Sequence, residues 1–302
     1  MVYGKGKKVI TEYHLNKNQP DRPQFAVYDL SDYLEKNGDK ASKPHIHSFY
    51  QIIWFKKGRG KHFVDFKDYD VSDNALFFIA RNQVHYFDRH IDYKGVLIHF
   101  NETFLIRHDD ETDFFLKYNI SSSPYQQPSC SIDGSTNDIL DEYIRQITRE
   151  LSGREEFGRE DLLRSYLKSF LIQIQRRKNG FEKEQGDQNS LVAWNEKRGK
   201  LLQFVNLVDE YYNKGLSVGE YARLLLISSR TLSDITHQLL GKTPLRMLQE
   251  RIILEAQRLL LHSGLNVNQV GYRLGFDDPS YFVKYFKRHA GISPAEFRKS
   301  VS

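Results

Sequence analysis

Residues 217–244 read SVGEYARLLLISSRTLSDITHQLLGKTP, residues 266–294 read NVNQVGYRLGFDDPSYFVKYFKRHAGISP, and the two stretches are alike. From Ser228 onward, matching positions stand 50 residues apart: Ser228 with Asp278, Leu232 with Phe282, Gly241 with Gly291, Pro244 with Pro294. Upstream the offset is 49, which sets Ala222 opposite Gly271. The helix starts are well marked. Ser217 with Glu220 has the spacing of a capping box, in which hydroxyl and carboxylate satisfy free amides reciprocally, and Asn266 with Gln269 is a looser one. Ser228 and Asp278-Pro279 cap the second helix of each unit. Thr243-Pro244 and Ser293-Pro294 open the helices that follow, with proline where its missing N–H costs nothing. Small residues at 222 and 271 let two helices approach closely. Each unit therefore reads as a helix-turn-helix whose second helix suits a major groove.

Charge and composition agree with this. Residues 191–302 hold 16 Lys+Arg against 10 Asp+Glu, a net of +6, while the rest of the chain stands at −1. A basic C-terminal third suggests a polyanion partner. At 302 residues the chain has room for two cores, and 39% hydrophobic with 13% aromatic residues excludes wholesale disorder. The longest apolar run, 75–80, is far below the ~20 residues of a membrane span, so no membrane partner is expected. The basic N-terminus lacks the apolar segment of a secretory signal. The single cysteine, Cys130, rules out an internal disulfide and a thiolate metal site, and points to the cytoplasm.

The first hundred residues read as β structure. Segments 24–30, 49–55, 61–66, 75–79, 85–87 and 95–100 are rich in Phe, Tyr, Val and Ile and are separated by turn residues. Short strands at this spacing favour a barrel or sandwich over a parallel sheet. The period then changes to helical. Leu140, Ile144, Ile147 and Leu151 form one stripe in 137–151, and Leu163, Leu167, Phe170 and Ile174 another in 160–178. The stripes fit two roles, covering the β domain or forming a dimer seam. Polar, glycine-containing residues 176–195 read as a linker. Leu201, Val205, Val208 and Tyr212 then give the first C-terminal helix its buried face.

The sequence LQERIILEAQRLLLHSG (248–264), joining the two units, and LGFDDPSYFVKYFKRHAGISPAEFR (274–298), closing the chain, resemble the AraC/XylS family of bacterial transcription regulators. The resemblance runs over about 100 residues, 198–299. Two positions depart from it: Leu226 stands where the family often has glycine, and Gly271 where alanine is usual. Carried over by position, Arg230, Ser233, Asp234 and His237 face DNA from the first recognition helix. Arg230 can donate two hydrogen bonds to guanine, and Asp234 either reads a cytosine amino group or pairs with a cation. In the second unit Ser280, Tyr281 and Lys284 face the groove, while Lys287 and Arg288 suit phosphate. Lys242 and Arg246 add further candidate phosphate contacts. Phe276, Phe282 and Phe286 read as core.

The N-terminal half resembles the cupin-like sensing domain common in this family. In PHIHSFYQ, His45, His47 and Gln51 have the spacing of the cupin H-x-H-x3-E motif with glutamine replacing glutamate, and His85 matches the later histidine. Their odd numbering puts all four on one strand face, the expected effector-binding interior. Trp54 and Tyr86 are candidate pocket walls. Loss of the carboxylate at Gln51 argues against metal, so no metal and no cofactor are expected. The expected fold is a cupin-like β-barrel plus helices, followed by an all-α domain with two helix-turn-helix units. The expected division is 1–135 sensing domain with N-terminal arm, 136–178 dimerisation helices, 179–194 linker and 195–302 DNA-binding domain. The implied function is an effector-responsive activator, not an enzyme, with double-stranded DNA, a second copy of the chain, RNA polymerase and a small-molecule effector as partners. The alternative is a metal-dependent cupin enzyme with a secondary DNA-binding domain.

Overall fold

Strand residues alternate between two faces, and both faces of the central strands here are apolar. The computed structural model of the chain describes residues 10–16, 24–89, 92–105, 128–183 and 188–300. Among them, ten strands form two five-stranded sheets. The first has the order β1 (Thr11–Tyr13), β3 (His45–His47), β8 (His85–Phe87), β5 (Gly60–Val64), β6 (Lys67–Val71). The second has the order β10 (Ser129–Ser131), β7 (Ala75–Ile79), β4 (Tyr50–Lys57), β9 (Lys94–Phe100), β2 (Phe25–Asp29). One face of the second sheet, with Ile53, Phe55, Phe77, Ile79 and Leu97, shares a core with Val64, Val71 and Phe87 of the first. The other face carries Ile52, Trp54, Leu76, Phe78, Ile98 and Phe100.

That second face is covered by two helices, α3 (Gly134–Ser152) and α4 (Arg159–Lys183). Leu140, Ile144 and Ile147 of α3 join Leu163, Leu167, Phe170 and Ile174 of α4 in one core with it, and the Phe170 ring lies 6.1 Å from Trp54. Both stripes therefore serve the β domain within one protomer. The seam reading of the 163–174 stripe is corrected: those side chains are already buried, because the sheet face beneath them is apolar and must be covered. Trp54 points into this same core. Tyr86 stacks on Phe63, ring centroids 4.4 Å apart, on the opposite side of the first sheet from His62 and His85. Neither lines the interior, and Trp54 takes the core role commoner for a strand aromatic.

Among the elements that escape sequence reading, besides the short β1, β10 and the helix at 102–105, are a helix and an edge strand. Helix α1 (Leu30–Ala41) follows β2 directly, started by the Asp29 side chain accepting from the Asp32 amide at 3.0 Å. It buries only Leu30 and Ala41 and contains Asn37-Gly38, two poor helix formers. Strand β6, KDYDV, is an edge strand with only Val71 buried. The expected strand 61–66 stops at Val64, because Asp65 and Phe66 turn the chain with φ of 48° and 67°. After β9 comes α2 (Glu102–Leu105) and, past 131, the helices above.

The second compact unit holds the remaining helices: α5 (Gln188–Tyr211), α6 (Val218–Leu224), α7 (Ser229–Leu240), α8 (Pro244–His262), α9 (Val267–Arg273), α10 (Pro279–Ala290) and α11 (Pro294–Ser300). The expected linker, 176–195, is corrected at its flanks, where α4 continues to Lys183 and α5 begins at Gln188; residues 184–187 lie outside the described residues, as do 1–9 of the expected N-terminal arm. The caps form as read: Ser217 and Asn266 make full capping boxes, and Ser228, Thr243 and Asp278 cap α7, α8 and α10. Leu201, Val205 and Val208 are buried, and Tyr212 lies under the Arg251 guanidinium at 4.4 Å. A side chain at Gly271 would bring its Cβ to 3.1 Å from Phe282, so α9 and α10 touch there as expected.

Leu167 makes the helix–sheet core testable. Leu167→Ala should cost about 2–5 kcal/mol of stability by cavity formation. Chemical denaturation of the full chain measures this, and a loss under about 1 kcal/mol would contradict burial against the sheet.

Candidate functional site

Two sets of candidate functional side chains emerge, one in each unit. In α7, Arg230, Asp234 and His237 are exposed and Ser233 is half-buried, on the face opposite Leu232, Ile235 and Thr236. Spacings of three and four residues align them along one stripe. In α10, Ser280, Tyr281, Lys284, Lys287 and Arg288 are all exposed, while Phe282 and Phe286 are buried. Both helices end at a left-handed glycine, Gly241 (φ 63°) and Gly291 (φ 82°), so the repeat extends to the termini. Phe282 and Phe286 are core as read, with Phe276 half-buried against Phe282 at 5.3 Å. Lys242 and Arg246 are less available than read, because both hold Glu250, at 2.7 and 3.0 Å.

The second set lies inside the β domain. His45 and His47 occupy β3, and His85 faces His45 across the β3–β8 ladder. All three are buried, as is Gln51 of β4. One ring nitrogen from each histidine lies within 4.8 Å of the others. Ring centroids are 4.4 Å apart for His45–His85 and 4.9 Å for both His45–His47 and His47–His85. Two further histidines join them. His62 of β5 approaches His85, nitrogen to nitrogen at 3.3 Å, and the ring of His99 lies 6.0 Å from His47. Gln51 and His99 are register partners across β4 and β9, which puts them on the same face of the second sheet.

Burial sets the chemistry of this cluster. Loss of water disfavours the charged imidazolium, so His62 and His99 are pushed down to about 3. Burial, then the neighbouring histidines, hold His47 and His85 well below the ordinary range. Burial also lowers His45, against a hydrogen bond to the Lys43 carbonyl. These rings are neutral, and each offers a lone pair. Six atoms in the group are buried without a hydrogen-bond partner in the structure: Nδ1 and Nε2 of His47, Oε1 of Gln51, Nδ1 of His62, Nε2 of His85 and Nε2 of His99.

With both sets in view, comparison with known proteins is decisive. An AraC-like ligand-binding domain matches residues 32–167, and a helix-turn-helix domain matches residues 221–300. The chain belongs to the AraC family. Within that family it is similar to the HTH-type transcriptional activator RhaS of Enterobacter sp. (strain 638), 25% identical over 260 residues, covering 84% of this chain and 87% of that protein. RhaS of Escherichia coli O81 is 24% identical over 262 residues, with the same coverages. Among solved structures, ToxT from Vibrio cholerae aligns over 92% of this chain and 95% of its own, at 14% identity and a TM-score of 0.42. The AraC-like domain contains the histidine cluster, and the helix-turn-helix domain contains both exposed helix faces.

His62 and His99 were absent from the sequence reading, although a signal for each exists. His99 shares its parity with Leu97, which faces the first sheet. His62 is even-numbered and alternates with Lys61 and Phe63, so the odd-number rule that grouped the others excluded it. The cluster also makes the fold acid-sensitive. An unfolded histidine titrates near 6.5, whereas His62 and His99 do so at about 3. Above pH ~6.5 neither state takes up these protons, and below it only the unfolded chain does, so stability falls from about 6.5 downward. The thermal midpoint of the full chain should drop steadily as pH is lowered through this window. A flat profile would contradict the buried, neutral assignment.

Proposed function

We propose that this AraC-family protein is a cytoplasmic, homodimeric activator that binds double-stranded DNA sequence-specifically and answers to an effector held at the histidine cluster. The observation that carries it is the repeated pair of capped helices, each showing a polar face opposite a sealed apolar one. The activator sense is drawn from the RhaS proteins, whose names state that role, and it implies contact with RNA polymerase. The RhaS relatives are named as transcriptional activators, so the cupin-enzyme alternative gains nothing from them. On this reading residues 1–135 sense, 136–178 carry the dimer contact, 179–194 connect, and 195–302 bind DNA. His45, His47, Gln51 and His85 are the effector site. No described helix is long and apolar enough to cross a membrane.

The two recognition helices divide the work. Arg230 is exposed on α7 and suits bidentate recognition of guanine, while Lys287 and Arg288 near the end of α10 suit phosphate. Arg230→Ala should cost about 1–3 kcal/mol on the preferred site and relax preference at one base pair. Lys287→Ala should weaken all sequences alike and reduce the slope of log affinity against log salt by about 0.9. Binding titrations on specific and random duplexes over ~50–200 mM salt separate the two. Equal loss on both duplexes for Arg230→Ala would displace it from base reading, and a flat salt response would remove DNA as partner.

The dimer contact moves to the outer side of α3 and α4, since the inner stripes are buried. Ile139 and Leu162 are large apolar side chains that remain exposed there, at 42% and 41%. The double variant Ile139→Glu, Leu162→Glu should sediment as a folded monomer with unchanged circular dichroism. A folded dimer would put the contact elsewhere.

A further inference from the structure

Two of the buried histidines are prepared as lone-pair donors, each by a different device, and a third stands beside them. His45 Nδ1 lies 2.7 Å from the Lys43 carbonyl. A carbonyl only accepts, so the proton sits on Nδ1 and Nε2 keeps its lone pair. His85 Nδ1 and His62 Nε2 share one proton across 3.3 Å, while His85 Nε2 is buried without a partner. With that proton on His85 Nδ1, its Nε2 is likewise a free lone pair. In His47 neither ring nitrogen has a partner. Buried polar atoms without partners destabilise a fold, and here several meet at one point. What relieves them must accept lone pairs from several imidazoles at once. A single cation of moderate softness does this, whereas an organic donor would have to bring several N–H or O–H groups to one spot.

We propose that His45, His47 and His85 bind one divalent late first-row transition-metal ion, of the class that imidazole favours. Ring nitrogens about 2.0–2.1 Å from a tetrahedral ion stand roughly 3.4 Å apart. The three nitrogens here lie within 4.8 Å of one another, so small side-chain rotations close the set. Outer partners already fix two ring orientations, the Lys43 carbonyl behind His45 and His62 behind His85, as in well-formed imidazole sites. The replacement of a carboxylate by Gln51 spoke against metal in the sequence. Three neutral imidazoles with their outer partners make a ligand set without it, leaving a fourth position open to water or an anion. The effect of the ion on DNA binding rests on the reading of this cluster as the sensing site; coordination rests on the geometry alone.

The test uses the full chain, stripped with chelator and titrated with Co2+ and then Zn2+. One Co2+ per chain should bind with the visible absorption of a nitrogen-ligated site, be displaced by Zn2+, and raise the thermal midpoint. His47→Ala and His85→Gln, each checked for folding by circular dichroism, should lose the absorption. His62→Phe should weaken binding about 10–100-fold through its outer-partner role, and His289→Ala should leave it unchanged. Absence of stoichiometric binding to the folded chain overturns the proposal, as does binding unaffected by folded His47→Ala or His85→Gln. If neither of those variants folds, unchanged affinity in His62→Phe overturns it. The sensing reading is read separately, by DNA titration with and without the ion. Stoichiometric binding that leaves DNA affinity unchanged refutes that reading and upholds the metal site. A DNA response to a small organic molecule in a chain that binds no ion does the reverse.

Discussion

The N-terminal half is organised by burial of the second sheet on both faces. A strand buried on one face tolerates polar residues at every second position, but β4, β7 and β9 have no solvent face to give them. Ile52 and Trp54 meet α3 and α4, while Ile53 and Phe55 meet the first sheet. One residue of slip along β4 would exchange these sets, so the register is strongly specified. The packing is close enough that a Cβ at Gly95 of β9 would lie 1.9 Å from the Trp54 carbonyl oxygen, and only glycine fits there. This double burial draws the helical stripes inward and leaves the outer sides of α3 and α4 to meet solvent or a partner.

The same constraint makes the histidine cluster costly and therefore informative. Gln51 and His99 stand on the face that otherwise carries Ile53, Phe55 and Leu97, where any polar atom is removed from water. A side chain serving only as filler in such a place would be apolar. Phe49 shows that an aromatic ring fits, its centroid 4.5 Å from His47 and 4.6 Å from His99. Imidazoles at these positions carry an unmet hydrogen-bonding demand that apolar side chains would not. A group of five histidines across both sheets is thus a local cost in stability, and such costs collect at functional sites.

Legibility followed the strength of local signals. The helical half was readable almost to the residue, because caps, prolines and glycines recur at a fixed offset and each has a local cause. The β half was readable in its central strands, where apolar density is high. It failed where the cause is tertiary: β6 is an edge strand of charged residues, and α1 is a helix with few buried positions, held by the Asp29 cap. The stripe of α4 was visible, but its partner was not, since the same spacing serves a sheet or another helix. In the site, the resemblance to the cupin motif found His45, His47, Gln51 and His85 and odd numbering set them on one face; His62 lies outside the motif, and β5 runs out of step with that numbering. The two departures from the family are explained differently: at 271 a Cβ would lie 3.1 Å from Phe282, so glycine eases the contact between α9 and α10. At 226 the chain is left-handed (φ 57°) and the leucine side chain is 90% exposed, so only backbone strain is incurred. At the equivalent Gly275 (φ 86°) a Cβ would meet the Asn213 carbonyl oxygen at 2.1 Å, so glycine is required there.

The two recognition helices have the same frame and different faces, and that difference bears on how such a protein reads DNA. The exposed stripe of α7 mixes one cation, Arg230, with Asp234, Ser233 and His237. That of α10 sets Lys284, Lys287 and Arg288 beside Ser280 and Tyr281. A carboxylate near phosphate is repelled, so a face containing Asp234 loses affinity for DNA in general while gaining discrimination where a base can donate to it. A face of three cations and no acid gains the opposite, uniform affinity with little choice. The frame that presents them is held by buried charge. Arg251 of α8 pairs with Asp209 of α5 at 2.6 Å and with Glu255 at 2.9 Å, and Arg258 is buried beside them. Arg298 of α11 donates to the Leu260 and Leu265 carbonyls at 2.8 and 2.7 Å. The long helix α8 between the units is thereby fixed at both ends, to α5 before the first unit and to α11 after the second. A rigid connector suits a division in which one helix selects and the other holds, because the holding helix then positions the selecting one.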